Sequence, residues 1–114
     1  MPDNIPHRTR RGHQPPVRPV ELPEPPAHLS PEAAEMWTDI VTEWVLDSAA
    51  LPVLRGALEH WDQYQRCRAI IAREGETVTS PSGLPRAHPA VKAGLDSFAA
   101  FRQAMRQLGL QPEG

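Results

Sequence analysis

"ALPVLRGALEHWDQYQRCRAIIAREG", residues 50–75, is the stretch on which the fold turns. Leu54, Leu58, Trp61, Tyr64, Arg68 and Ile71 recur at steps of three and four, and Ala57 and Cys67 widen the stripe. That spacing puts apolar groups on one face of a helix with 3.6 residues per turn. Arg55, Glu59, Asp62 and Arg66 fall mostly off the stripe, with Asp62 and Arg66 spaced for an i,i+4 ion pair. Pro52 sits in the first turn, where its missing N–H costs nothing, and Gly75 is placed to act as a left-handed C-cap. A helix of this length buries its face only against other helices.

The flanks supply them. Upstream, Ser30 is a good N-cap, Pro31 takes the first helical position, and Glu32 and Glu35 lie where the helix dipole favours anions. Ala33, Trp37, Ile40, Val41 and Trp44 form an apolar stripe. Glu32, Glu35, Asp39 and Glu43 form an opposite face that no basic residue interrupts. Such a face repels DNA phosphates, so it is either solvated or turned to arginines of another subunit. A short connection near Asp47–Ser48 makes the two helices neighbours. Downstream, Pro89 opens a third helix with the stripe Val91, Leu95, Phe98, Phe101, Met105 and Leu108. Gly109 follows as a C-cap, Leu110 can fold back, and Pro112 prevents continuation.

The rest reads differently. Residues 1–28 hold most of the 14 prolines and few large apolar groups. Proline lacks a donor and restricts its neighbour, so a disordered arm is expected, with polyproline-like stretches at Pro15–Pro16 and Pro23–Pro26. Its cluster His7 to Arg11 is either a solubilising tail or a set of mobile phosphate contacts. In residues 76–88, Thr77, Val78 and Thr79 favour extended chain and "SPSG" is turn chemistry, so a short loop or a β-hairpin fits. The expected architecture is therefore all-α. Three main helices run over about 31–46, 50–74 and 89–108, with the loop or hairpin at 76–88 and the Pro-rich tail in front. By domain, 1–28 is a basic arm, 29–110 a helical unit and 111–114 a frayed end.

Composition narrows the function. A net charge of -2 excludes a strongly basic protein, although residues 1–20 carry Arg8, Arg10, Arg11 and Arg18 against Asp3 alone. Cys67 is the single cysteine, which rules out an intrachain disulfide and a thiolate metal cluster. No apolar run is long enough to span a membrane and no hydrophobic signal region opens the chain, so a cytosolic protein is expected. The helical part, about 80 residues, makes a marginal core, so oligomerisation is expected. There is no Gly-rich phosphate loop, no metal-ligand spacing among the scattered histidines His7, His13, His28, His60 and His88, and no base suitably spaced from Ser48 or Ser97. Neither an enzymatic activity nor a cofactor is expected.

Taken together, "PPAHLSPEAAEMW", "IIAREGETV", "SGLPRAHPAV" and the closing "LGLQPEG" resemble the phage terminase small subunits, in the short helical family of tailed double-stranded DNA phages. The resemblance spans about residues 22–112. Leu29 and Trp37 match the opening element, Gly75 the glycine after the central helix, and Gly83 the turn. Pro89 matches the start of the last helix, and Leu108, Gly109, Leu110 and Pro112 match its end. His88 stands where the family usually has asparagine, and Val53 to Gly56 lack the acidic residue often found early in the central helix.

The resemblance implies a non-catalytic DNA-packaging role in the host cytoplasm. Its partners would be double-stranded phage DNA, a separate large subunit holding the ATPase and nuclease, and copies of itself in a ring. Arg8, Arg10 and Arg11 are the first candidates for DNA contact, and Arg66, Arg68 and Arg73, at the basic end of the long helix, are the second. The dipole alone is reason enough for that second group. Two other readings stay open: a helical protein-interaction adaptor without nucleic-acid binding, and a small helix-turn-helix DNA-binding regulator.

Overall fold

The computed structural model describes residues 8–10 and 21–110. In chain order these form β1 (Arg8–Arg10), α1 (Pro31–Glu43), β2 (Trp44–Leu46), α2 (Ala50–Glu74), β3 (Thr77–Thr79), β4 (Pro85–Ala87) and α3 (Pro89–Gln107). The arm expected to be disordered over 1–28 is ordered in two places: residues 8–10 form a strand, and 21–28 are held by the Pro23 and Pro26 carbonyls, which accept from the Trp37 indole and the Leu29 N–H. Residues 1–7 and 11–20, the polyproline stretch at Pro15–Pro16 and the fraying of 111–114 lie outside the described residues.

α1 begins as its sequence dictates. Ser30 is extended and its Oγ accepts from the Ala33 N–H at 3.0 Å, with Pro31 in the first turn. Its end corrects the expected span of 31–46. The helix stops at Glu43, and Trp44, Val45 and Leu46 form a strand antiparallel to β1, with Arg8 opposite Leu46, Thr9 opposite Val45 and Arg10 opposite Trp44. Aromatic and branched side chains fit a pleated ribbon as well as a helix end, and a paired strand satisfies their backbone groups. β1 forms where the arm has no proline, between Pro6 and Pro15. The fold is thus mostly helical and not purely all-α. Trp44 leaves the α1 stripe for the ribbon.

Asp47 makes the turn into α2. Its Oδ1 accepts from the N–H groups of Ala49 (3.0 Å) and Ala50 (2.8 Å), serving a helix whose own cap residue, Ala49, has no side-chain acceptor. At about 1.5 Å per residue, the 25 residues of α2 span roughly 37 Å. Its first half packs on α1: Ala33, Trp37 and Val41 meet Ala50, Leu54 and Leu58, closed by Leu29 and by Leu108 from the end of α3. The Trp37 indole N–H donates to the Pro23 carbonyl at 2.9 Å, which fastens the segment before α1 across this core.

The second half of α2 packs on α3. The seam of α3 runs through Ala90, Gly94 and Ser97, all buried. A Cβ on Gly94 would lie 3.1 Å from the Cys67 Cβ, tighter than ordinary contact, so glycine here lets the two helices come this close without displacing α2. Further along, ring centroids of Trp61 and Phe101 lie 5.2 Å apart and those of Tyr64 and Phe98 4.8 Å. Leu95, expected in the core, is 65% exposed because small residues, not large ones, set this seam. Between α2 and α3 the chain makes the β-hairpin: Thr77, Val78 and Thr79 pair with Ala87, Arg86 and Pro85 across a turn in which Gly83 has φ 89°. Gly75 has the positive φ expected of it (90°), but its ψ of 166° is extended, not left-handed helical. α3 ends in a Schellman motif: Gly109 has φ 73°, its N–H donates to Arg106 and the Leu110 N–H to Met105.

Candidate nucleic-acid interface

Arg8 and Arg10 stand two apart on β1, so their side chains share one face of the ribbon. Across from them on the same face is Trp44. The guanidinium carbon of Arg8 lies 3.8 Å from the centre of the Trp44 ring and that of Arg10 4.6 Å, both within cation–π range. Arg10 Nη1 also donates to Glu43 Oε2 at 2.7 Å, in a pair about half exposed on both sides. Arg8 Nε is buried and has no hydrogen-bond partner. The two arginines are therefore seated on their own chain, against the end of α1. Arg11 lies outside the described residues.

Trp44 and Glu43 were not among the candidates from sequence. A signal existed in Glu43: it lies in the last turn of the helix expected over 31–46, where the dipole disfavours an anion, and no basic residue stands in that turn. Arg10 supplies the missing cation from a distant part of the chain.

The second group is a separate surface. Arg66 and Arg73 are two turns apart on one side of α2, while Arg68 points elsewhere. All three are exposed. Arg66 donates to Gln63 Oε1 at 2.8 Å rather than pairing with Asp62, Arg68 lies 5.7 Å from the Tyr64 ring centre, and Arg73 pairs with Glu74 at 3.2 Å. Arg66 and Arg73 stand roughly 24 and 35 Å along α2 from Ala50, the residue that opens the helix after β2.

His88 is the N-cap of α3. Its Nδ1 accepts from the Ala90 N–H at 3.0 Å, which puts the ring proton on Nε2, and Nε2 donates to Glu74 Oε1 at 2.8 Å. The imidazole does the work of a cap and ties α3 to the end of α2. The hydrogen bond from His88, and next that from Arg73, hold the Glu74 carboxyl below its ordinary range.

Beside this turn are two shallow clefts of about 220 and 520 Å³, both lined by Val91 and Leu95. Among the described residues no cluster of His, Cys, Asp and Glu could hold a metal ion, and no helix is long and apolar enough to cross a membrane. α1 and α2 are joined through a strand, not the tight turn of a helix-turn-helix motif.

No curated protein and no solved structure matches the chain significantly. A family profile does: that of the phage terminase small subunit, over residues 33–114. That covers the whole helical unit from the first turn of α1 onward, and the chain therefore belongs to the phage terminase small subunit family.

Proposed function

We propose that the chain binds double-stranded phage DNA at the packaging start and regulates the large terminase subunit, working as a homo-oligomeric ring in the host cytoplasm without a catalytic site of its own. The observation that carries this reading is the family match over residues 33–114, which supports a role in phage genome packaging. The chemistry of the chain agrees with it. Arginines occur in two exposed or arm-borne groups, and the α1 face made by Glu32, Glu35 and Asp39, beyond the Glu43 that Arg10 already engages, is acidic and suited to a cationic neighbour rather than to phosphate. The core is small, and Leu84 and Leu95 are each about two-thirds exposed, apolar surface that a neighbouring copy would cover.

The test is the solution mass of the purified protein by light scattering, with and without DNA at low salt. A closed assembly of many subunits that takes up DNA is the expected result. A stable monomer that ignores DNA would return the weight to a protein-interaction adaptor.

A further inference from the structure

The arm's arginines have two uses that exclude one another. A guanidinium offers its faces to rings and its edge donors to anions. In this chain the faces of Arg8 and Arg10 are on Trp44 and an edge donor of Arg10 is on Glu43. A phosphate approaching that edge in place meets Glu43 on Nη1, with Asp39 and Glu35 one and two turns back along the same acidic face of α1. That like-charge neighbourhood disfavours phosphate at the docked arm and favours it once the arm is off α1.

The seat is built to let go. It is a ladder of three residue pairs, a length that is marginal on its own. Its ion pair is half exposed and so is screened by salt. It also leaves Arg8 Nε buried without an acceptor, which a phosphate oxygen would supply. We propose that Trp44 and Glu43 form an internal seat that competes with DNA for Arg8 and Arg10, so that the free protein keeps its basic arm docked and DNA binding opens the β1–β2 ribbon. This rests on the DNA-binding reading above and adds a regulatory step to it.

The experiment uses the full chain and a mixed-sequence DNA duplex at low salt. Glu43→Gln and Trp44→Leu weaken the seat without touching the arm. Asp39→Asn makes the same change of charge on the same helix face but leaves the seat whole, which separates unlatching from a general loss of repulsion. The expected result is that Glu43→Gln and Trp44→Leu bind DNA more tightly than both the wild type and Asp39→Asn, by about two- to fivefold, the worth of one exposed contact. Hydrogen exchange supplies a readout that affinity alone does not: DNA should strip amide protection from Val45 and Leu46 in the wild type, while the Trp44 amide, bonded to the Ile40 carbonyl at the end of α1, serves as the internal control. If Glu43→Gln and Asp39→Asn bind alike and protection at Val45 and Leu46 is unchanged at saturating DNA, the seat is no competitor, although DNA binding itself stands. If no variant and not the wild type binds DNA, the DNA reading fails and the competition fails with it.

Discussion

The Ser30 hydroxyl donates to Asp62 Oδ1 at 2.5 Å while its own oxygen accepts the Ala33 N–H, and the Ser30 N–H donates to Asp62 Oδ2 at 2.8 Å. One carboxylate on α2, 7% exposed, thereby fixes the residue that starts α1. The cap and the packing of the two helices become one unit. Asp62→Ala should cost about 1–3 kcal/mol by leaving a part-buried N–H and O–H without their acceptor, and Ser30→Ala about 0.5–2 kcal/mol through the lost cap. Urea unfolding of both single variants and the double variant is the check. The double should cost clearly less than the sum, since either change alone already breaks the unit. Additive costs would mean that cap and carboxylate act separately.

The α2–α3 seam should tolerate nothing larger than glycine at Gly94. Alanine there gains about 1 kcal/mol of helix propensity, but its methyl meets the Cys67 Cβ at 3.1 Å, an atom anchored directly to the α2 backbone. Overpacking costs about 1–3 kcal/mol, so a net loss of stability is expected for Gly94→Ala and a larger one for Gly94→Val. Cys67→Ala should not rescue Gly94→Ala, because it keeps the Cβ that clashes. Thermal unfolding of the three variants decides the matter, and rescue would place the close contact at the sulfur instead.

His88 and Glu74 couple the acid side of the stability curve to the α2–α3 corner. Glu74 is held below its ordinary pKa of 4.5 by the folded protein, chiefly through His88. A carboxyl depressed on folding adds stability that is present above the unfolded value and is lost as pH falls through the folded one. Glu59, lowered by its hydrogen bond from Arg55 and then by that from His28, behaves in the same sense. Stability should therefore fall as pH is lowered below about 4.5, and Glu74→Gln should make that fall shallower, as read from urea midpoints across the acid range. A curve of unchanged steepness would show that the contact is too exposed to matter.

The same corner separates capping from charge. His88→Ala should lose about 1 kcal/mol, the usual worth of an N-cap. His88→Asn, which puts another good N-cap residue in its place, should keep the cap and lose only the contact with Glu74. Denaturant midpoints at neutral pH should rank wild type close to Asn and both above Ala. Equal loss in both variants would assign the stabilisation to Glu74 rather than to the Ala90 N–H.

What could be read from the chain was whatever is local. The N-cap at Ser30, the proline at Pro89 and the Gly109 terminus each act within one turn, and the helices begin or end close to where they predict. The end of α1 was not local: the partner that turns Trp44–Leu46 into a strand lies more than thirty residues upstream, in an arm whose prolines disguise the stretch that pairs. Asp62 misled for a related reason. It stands four residues after Leu58, on the buried stripe, but a carboxylate reads as solvent-facing until its partner at Ser30 is known. On α3 the large side chains pointed to a stripe through Val91 and Leu95. The seam went instead to Ala90, Gly94 and Ser97, because helices approach most closely where side chains are smallest. The arginines of the candidate interface were all visible, but the tryptophan and glutamate that hold two of them were hidden by the same long-range pairing.

The two basic groups can be told apart by salt. Each phosphate contact made by a Lys or Arg contributes about 0.9 to the slope of log affinity against log salt. Arg8→Ala, Arg10→Ala and Arg11→Ala combined should weaken binding to double-stranded DNA and lower that slope by about 2–3 if all three reach phosphates. Arg66→Ala with Arg73→Ala tests the α2 surface, whose guanidiniums are exposed but partly engaged by Gln63 and Glu74. Binding isotherms at several salt concentrations measure both variants against the wild type. A lower slope for the arm variant alone assigns DNA contact to the arm. A lower slope for the α2 variant alone moves the interface about 24–35 Å down the long helix, to the end nearest the hairpin. Unchanged affinity and slope in the arm variant would remove Arg8, Arg10 and Arg11 from the interface.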